Sequence, residues 1–197
     1  ILKLVQIYER LGRPDDGLAF LAQLNKSNAK KTLLIAEAGL AERAGKDERA
    51  IAALNRLIQH YPPVEESWLL RRAALFYQRG DIVQAWQSLT EVEKKMSTNR
   101  GDYWRTYAEL SRLIDKKDTA ERAYQHLTDE FLFSDADLMN YSTLQIDSDP
   151  LNAAFLNELS FRLYSQDNAA IGVLFLYQKA HHLDGATQFL ASLTDKE

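Results

Sequence analysis

The chain has 197 residues, 46% apolar and 26% charged, the balance of a folded globular protein long enough for one sizeable core. A net charge of −4 gives no electrostatic reason to expect nucleic acid, and the lysine pairs Lys30-Lys31, Lys94-Lys95 and Lys116-Lys117 fall near expected turns, as solvated loop edges do. The absence of cysteine excludes a disulfide framework and thiolate chemistry, and suits a reducing cytosol as well as an oxidising periplasm.

The first residues, ILKLVQIYERLG, start in mid-pattern without a methionine or an N-cap, and read as part of a longer protein. No signal peptide is visible, and the longest apolar run, Ala169 to Tyr177, has nine residues, too few to span a bilayer. Self-similarity dominates the chain. YERLGRPDDGLAFLAQL at Tyr8–Leu24 aligns with LAERAGKDERAIAALNRL at Leu40–Leu57 and with FYQRGDIVQAWQSLTEV at Phe76–Val92. The turn glycines Gly12, Gly45 and Gly80 are spaced by 33 and 35 residues. A fourth copy, Trp104–Leu127, has Asp115 at the turn, and a last one, Val173–Leu193, has His181 there; Asp137–Gln166 is a shorter, more divergent pair.

Each unit holds two apolar patterns of helical period separated by a polar break, and no segment reads as a strand. Asp81 with Gln84 and Asp118 with Glu121 have capping-box spacing. Asp149 before Pro150 places a cap ahead of a proline at the first helical position. Glycine accepts φ > 0 without a Cβ clash, which suits the end of each first helix. Ala38, Ala73 and Ala108 precede Ala50, Ala85 and Ala120 by 12 residues, one on each helix of a pair, so the two helices can approach closely. Leu54, Leu89, Tyr124 and Leu190, four residues past the second alanine, are expected to fill the space against the next unit. The periodic packing code predicts an all-α solenoid.

These residues resemble the tetratricopeptide repeat family, whose unit is about 34 residues long. Leu34, Ala38, Ala41, Gly45, Ala50, Leu54, Leu57 and Pro62 follow its pattern, with Ala41 where an aromatic is usual. Leu69, Ala73, Phe76, Gly80, Ala85 and Leu89 follow it in the next unit, then Trp104, Ala108, Ala120, Tyr124 and Leu127, where Ser111 and Asp115 depart. Tyr177, Ala186 and Leu190 match in the last unit. The resemblance covers essentially the whole chain and implies a right-handed superhelix of about six antiparallel helix pairs with a concave protein-binding face. The approximate repeats are 1–29 (truncated), 30–65, 66–100, 101–135, 136–166 and 167–197, in one domain. A narrower likeness joins DYWRTYAELSRLIDKKDTAERAYQHL and DLMNYSTLQIDSDPLNAAFLNELSFRLYSQ to the periplasmic repeats of Pel-type outer-membrane exopolysaccharide export proteins such as PelB. It implies a periplasmic scaffold that recruits a polysaccharide-modifying enzyme, in a parent protein anchored in the outer membrane.

No enzyme signature, cofactor motif or metal motif is present. His181 and His182 are neighbours and point about 100° apart on a helix, so they make no i, i+4 pair; with His60 and His126 they read as turn histidines in solvent. The acidic pairs Glu65-Glu66, Asp129-Glu130 and Asp147/Asp149 lie at helix starts or ends, where caps and dipoles account for the first and last. Trp68, Trp86 and Trp104 read as packing residues rather than a stacking platform. The expected partner is a protein, bound by the non-packing positions of the first helices. Register selects Glu9 and Arg10, Glu42 and Arg43, Tyr77 and Gln78, Arg105, Glu109 and Arg112, then Gln178 and Lys179. Arg10, Arg43 and Arg112 recur near the ends of these helices, a candidate ladder for gripping carboxylates, with Glu9, Glu42 and Glu109 close enough to neutralise it. Direct carbohydrate binding, which would need exposed aromatics along the groove, and a spacer or self-association role are the alternatives.

Overall fold

The computed structural model describes residues 2–24, 30–95, 99–165 and 167–194. Among them are twelve α-helices and no strand: α1 (Leu2–Arg10), α2 (Pro14–Leu24), α3 (Lys31–Arg43), α4 (Asp47–His60), α5 (Glu66–Gln78), α6 (Ile82–Lys95), α7 (Gly101–Leu113), α8 (Lys117–Asp129), α9 (Asp135–Gln145), α10 (Pro150–Tyr164), α11 (Asp167–Lys179) and α12 (Leu183–Thr194). None is long and apolar enough to cross a membrane. Contacts divide the chain into two compact units, residues 1–98 with α1–α6 and residues 99–197 with α7–α12.

The small residues do what their spacing predicts. Ala38 and Ala50, one on each helix of the α3–α4 pair, are both at 0% exposure, as are Ala108 and Ala120 in α7–α8. A methyl group at each place lets the helices close, and the larger chains fill what remains. In the first unit Leu54 and Leu57 of α4, Leu34 of α3 and Trp68 and Leu75 of α5 join one core. In the second, Ala153, Val173, Leu176, Tyr177 and Phe189 form another, spanning α10 to α12. Leu190 departs from the expectation: Leu54, Leu89 and Tyr124 are buried, whereas Leu190 is 48% exposed.

Helix ends follow the sequence in part. Asp149 caps α10 by accepting from Asn152 N at 3.0 Å, with Pro150 at the first turn. The capping box expected at Asp118 and Glu121 does not form. The chain leaves α7 through a tight turn and re-enters a helix at Lys117, so Lys116 is the N-cap and Asp118 already lies inside α8. A capping box forms instead at α9, where Ser134 Oγ accepts from Asp137 N and the Asp137 carboxylate accepts from Ser134 N at 2.7 Å. His126 is also corrected. It belongs to α8 rather than a turn, its ring lies 4.2 Å from that of Trp104, and its Nε2 is buried.

Candidate binding groove

One backbone device sets the register of every first helix whose end is recognised by a left-handed turn. Gly45 N donates to Glu42 O at 3.0 Å and Lys46 N to Ala41 O at 2.8 Å, the paired bonds of a Schellman motif around Gly45, whose φ is +66°. The same two bonds recur around Gly12, Gly80, Asp115 and His181. Asp115 and His181 accept φ of 57° and 55° despite their side chains. The turn therefore places Glu9, Glu42, Tyr77, Arg112 and Gln178 at one equivalent position, three residues before the left-handed residue.

In the first unit the first helices enclose a groove of about 490 Å3, lined by Val5, Gln6, Ile35, Ala36, Gly39, Glu42, Arg43 and Arg71. Two interhelical ion pairs rim it. Arg43 of α3 holds Glu9 of α1 through Nε and, at 3.0 Å, through Nη2. Arg71 of α5 holds Glu42 of α3 in a fork, Nε to Oε1 at 2.9 Å and Nη2 to Oε2 at 2.8 Å. Such planar bidentate pairs fix both side chains and the helices that carry them. Gly39 lies beneath both guanidinium groups. A Cβ there would stand 3.3 Å from Arg43 Nη1 and 3.8 Å from Arg71 Nη2, so the missing side chain keeps the floor open. Arg71 and Gly39 escape selection by register. Gly39 is readable only as a glycine where a helix prefers alanine.

The other selected residues divide by role. Arg10, Tyr77 and Gln78 are exposed on the first unit. Arg105 of α7 is tied to α9: its Nε donates to both oxygens of Asp137, at 3.0 and 2.9 Å, and its Nη2 to Leu132 O at 3.1 Å. Asp137 is only 4% exposed, and its hydrogen-bonded carboxylate holds the Arg105 guanidinium above its usual pKa. Glu109 and Arg112 are exposed on α7, and the Arg112 charge acts on Tyr124, whose hydroxyl burial pushes up. Lys179 pairs with Asp147 and holds that carboxyl below the usual range, while Gln178 is exposed. Within the arginine ladder Arg43 is thus engaged by Glu9, and Arg10 and Arg112 are exposed. On α11, Ile171 and Phe175 take the positions of Ile35 and Gly39 relative to the turn and are 73% and 60% exposed, a feature that register does not single out. Trp68 is buried, with Lys31 Nζ 4.9 Å from its ring centroid, and Trp104 packs on Tyr103 and Tyr107. Among the described residues no three His, Asp or Glu side chains come together as a metal site.

A family model described as tetratricopeptide repeat matches residues 56–197, and another of the same description matches residues 37–63. The chain belongs to the tetratricopeptide repeat family. Family members serve as protein-interaction scaffolds and are generally non-enzymatic. Solved structures of tetratricopeptide repeat proteins share the fold. The crystal structure of MamA protein is 16% identical at a TM-score of 0.59, over 85% of this chain and 91% of that one. YrrB, described as a TPR protein with an unusual peptide-binding site, is 11% identical at a TM-score of 0.61, over 89% and 91%. A tetratricopeptide repeat protein from Parabacteroides merdae is 13% identical at 0.58, over 100% and 78%. A comparison with curated proteins found no match.

Proposed function

We propose that this chain is a non-enzymatic scaffold whose first unit takes a segment of a partner protein in the groove between α1, α3 and α5. The observation that carries this reading is the open floor at Gly39 under two fixed guanidinium groups. Apolar atoms of Val5, Ile35 and Ala36 would take an aliphatic side chain of the partner. Each guanidinium has five N–H donors and gives two to its carboxylate, one from Nε and one from Nη2, leaving donors for a partner carbonyl or carboxylate. Because Glu9 and Glu42 neutralise the two arginines, recognition rests on hydrogen-bond direction more than on net charge. An extended peptide with an aliphatic anchor beside an exposed carbonyl or acidic group fits that chemistry. The peptide-binding site named for YrrB agrees with this reading in kind.

Among the described residues no aromatic ring lines this groove, so they offer a sugar no stacking platform in it. The more specific reading, a periplasmic scaffold that recruits a polysaccharide-modifying enzyme for exopolysaccharide export, rests on the sequence likeness of Asp102–Leu127 and Asp137–Gln166.

Peptides selected from a display library against the wild-type chain test the groove. Gly39→Leu would fill it, and the nearest contact of the new Cβ is the flexible end of Arg43, so the fold should persist. The expected result is at least a tenfold loss of affinity, about 1.4 kcal/mol, for the selected peptides. Unchanged affinity with retained helicity would remove the groove from consideration.

A further inference from the structure

The residue that ends α8 combines a costly backbone with a costly side chain. Phe131 N donates to Thr128 O at 3.2 Å and Leu132 N to Leu127 O at 2.8 Å, with Phe131 left-handed at a φ of 56°. Among the described residues the other non-glycine residues of positive φ are Asp115, Ser165 and His181, all polar. A bulky apolar side chain makes this conformation expensive, and glycine would remove the cost. Burial does not offset it, because Phe131 is 84% exposed, the most of any large apolar side chain among the described residues. Leu132 does the packing at this turn: its Cβ would stand 3.3 Å from a Cβ added to Gly101, and its carbonyl accepts from Arg105. Phe131 joins α8 to α9, with α7 packed on α8 and α10 on α9, so its exposure belongs to a turn within the stack and not to an open end of it.

Two more aromatic residues stand at the same edge. The Phe133 ring lies 6.5 Å from that of Phe131, and the hydroxyl of the exposed Tyr164, at the end of α10, donates to Phe133 O at 3.4 Å. The charge beside these rings is negative. Asp129 and Glu130, directly before Phe131, are both exposed, and Glu130 accepts from Asn99 at 3.5 Å. The neighbouring Arg100 has its charge taken up by Asp102, at 2.6 Å. Exposed carboxylates beside an aromatic anchor repel an anionic lipid surface and a phosphate backbone alike. They attract lysine or arginine, and a cation is also stabilised over the face of a phenyl ring.

We propose that the α8–α9 turn is a second docking surface, and that it takes a basic segment of a partner protein. Phe131 is the anchor, covered by apolar groups of the partner, while Asp129 and Glu130 pair with lysine or arginine beside them. Contact with the partner removes the ring from water and so repays the exposure that the isolated chain carries. The surface belongs to the second unit and shares no residue with the groove of the first, so it stands whether or not that groove binds a peptide.

A displayed library of random peptides, panned on the Gly39→Leu chain so that the groove of the first unit is filled, tests this surface separately. The expected result is a class of peptides with lysine or arginine next to apolar residues. Their affinity should fall at least tenfold for Phe131→Gly and at least threefold for Asp129→Asn combined with Glu130→Gln, both added to the same chain. Phe131→Gly should keep its helicity and melt no lower than its parent, because glycine accepts the left-handed backbone. The proposal is overturned if no selected peptide is weakened by Phe131→Gly, or if the weakened peptides are uncharged or acidic. A lower melting temperature would overturn it as well, by showing that the ring packs within the chain. Phe131-dependent co-sedimentation with vesicles of phosphatidylcholine and phosphatidylglycerol would assign the surface to lipid instead.

Discussion

The two units reach the same architecture with different local chemistry. In the first, Gly12, Gly45 and Gly80 end the first helices with φ of +66° to +78°, and the helices are tied by half-exposed forks such as Arg43–Glu9. In the second, Asp115 and His181 make the same turn with side chains attached, and the tie between α7 and α9 is an arginine on a carboxylate that is 4% exposed. Two of its helix starts also differ, while α7 and α8 begin without a side-chain cap bond. Ser134 and Asp149 cap α9 and α10 with side chains, whereas α3, α4 and α5 start at Lys30, Lys46 and Glu65 without a side-chain cap bond. Each unit also holds a buried carboxylate on an arginine, Glu37 with Arg49 in the first and Asp137 with Arg105 in the second, so burial is what separates the Arg105–Asp137 tie from the Arg43–Glu9 fork.

Replacing one arginine in each unit tests that contrast most strongly. Arg105→Met should destabilise the chain by about 2–4 kcal/mol in urea, because it removes the arginine from the buried Asp137 carboxylate and leaves it, among the described residues, the bonds from Ser134. Arg43→Met, which removes a solvent-accessible fork, should cost less than about 1 kcal/mol. Equal losses would show that burial does not separate the two ties.

The turns offer a second, smaller contrast. Gly45→Ala should cost about 1–2 kcal/mol although an added Cβ meets nothing within 4 Å, since the penalty lies in the left-handed backbone alone. Asp115→Gly should act in the opposite direction, raising stability by about 0.5–1 kcal/mol. A thermal melt of both variants reads the signs, and a destabilised Asp115→Gly would mean that this side chain contributes contacts beyond its backbone.

The smallest effect at neutral pH belongs to the tyrosines of the second unit. Burial, then the hydrogen bond to Glu158, pushes Tyr177 up to about 12, and burial also raises Tyr124 and Tyr141. A phenol whose folded value lies above its unfolded value of about 10 adds stability below that value. The contribution is lost as pH rises from about 10 to about 12, so the chain should melt progressively lower across that window. Tyr177→Phe should flatten the decline while leaving its position below pH 9 unaffected by titration. An identical alkaline slope in the variant would assign the decline to other groups.

Much of the fold is legible in the residues. The alanine spacing predicts close helix pairs, and Ala38, Ala50, Ala108 and Ala120 are fully buried as expected. Asp115 and His181 are recognisable as turn residues because they occupy the place of a glycine. The expected cap at Asp118 fails because the preceding turn, not the local motif, decides where α8 begins. Ser134 escapes notice because Asp at the fourth position of its capping box takes the part that the usual signature gives to Glu or Gln. The groove is the least readable part. Register locates Glu42 and Arg43, but Arg71 reaches the rim only through a fork onto Glu42 twenty-nine residues earlier, and one sequence does not reveal such a contact.

Hydrogen–deuterium exchange with a library-selected peptide tests the central claim, that the first unit's groove is where a partner binds. Slowed exchange should concentrate in α1, α3 and α5, around residues 35–43 and 71, and should vanish in Gly39→Leu. Protection confined to α7–α12, or unchanged by Gly39→Leu, would contradict it.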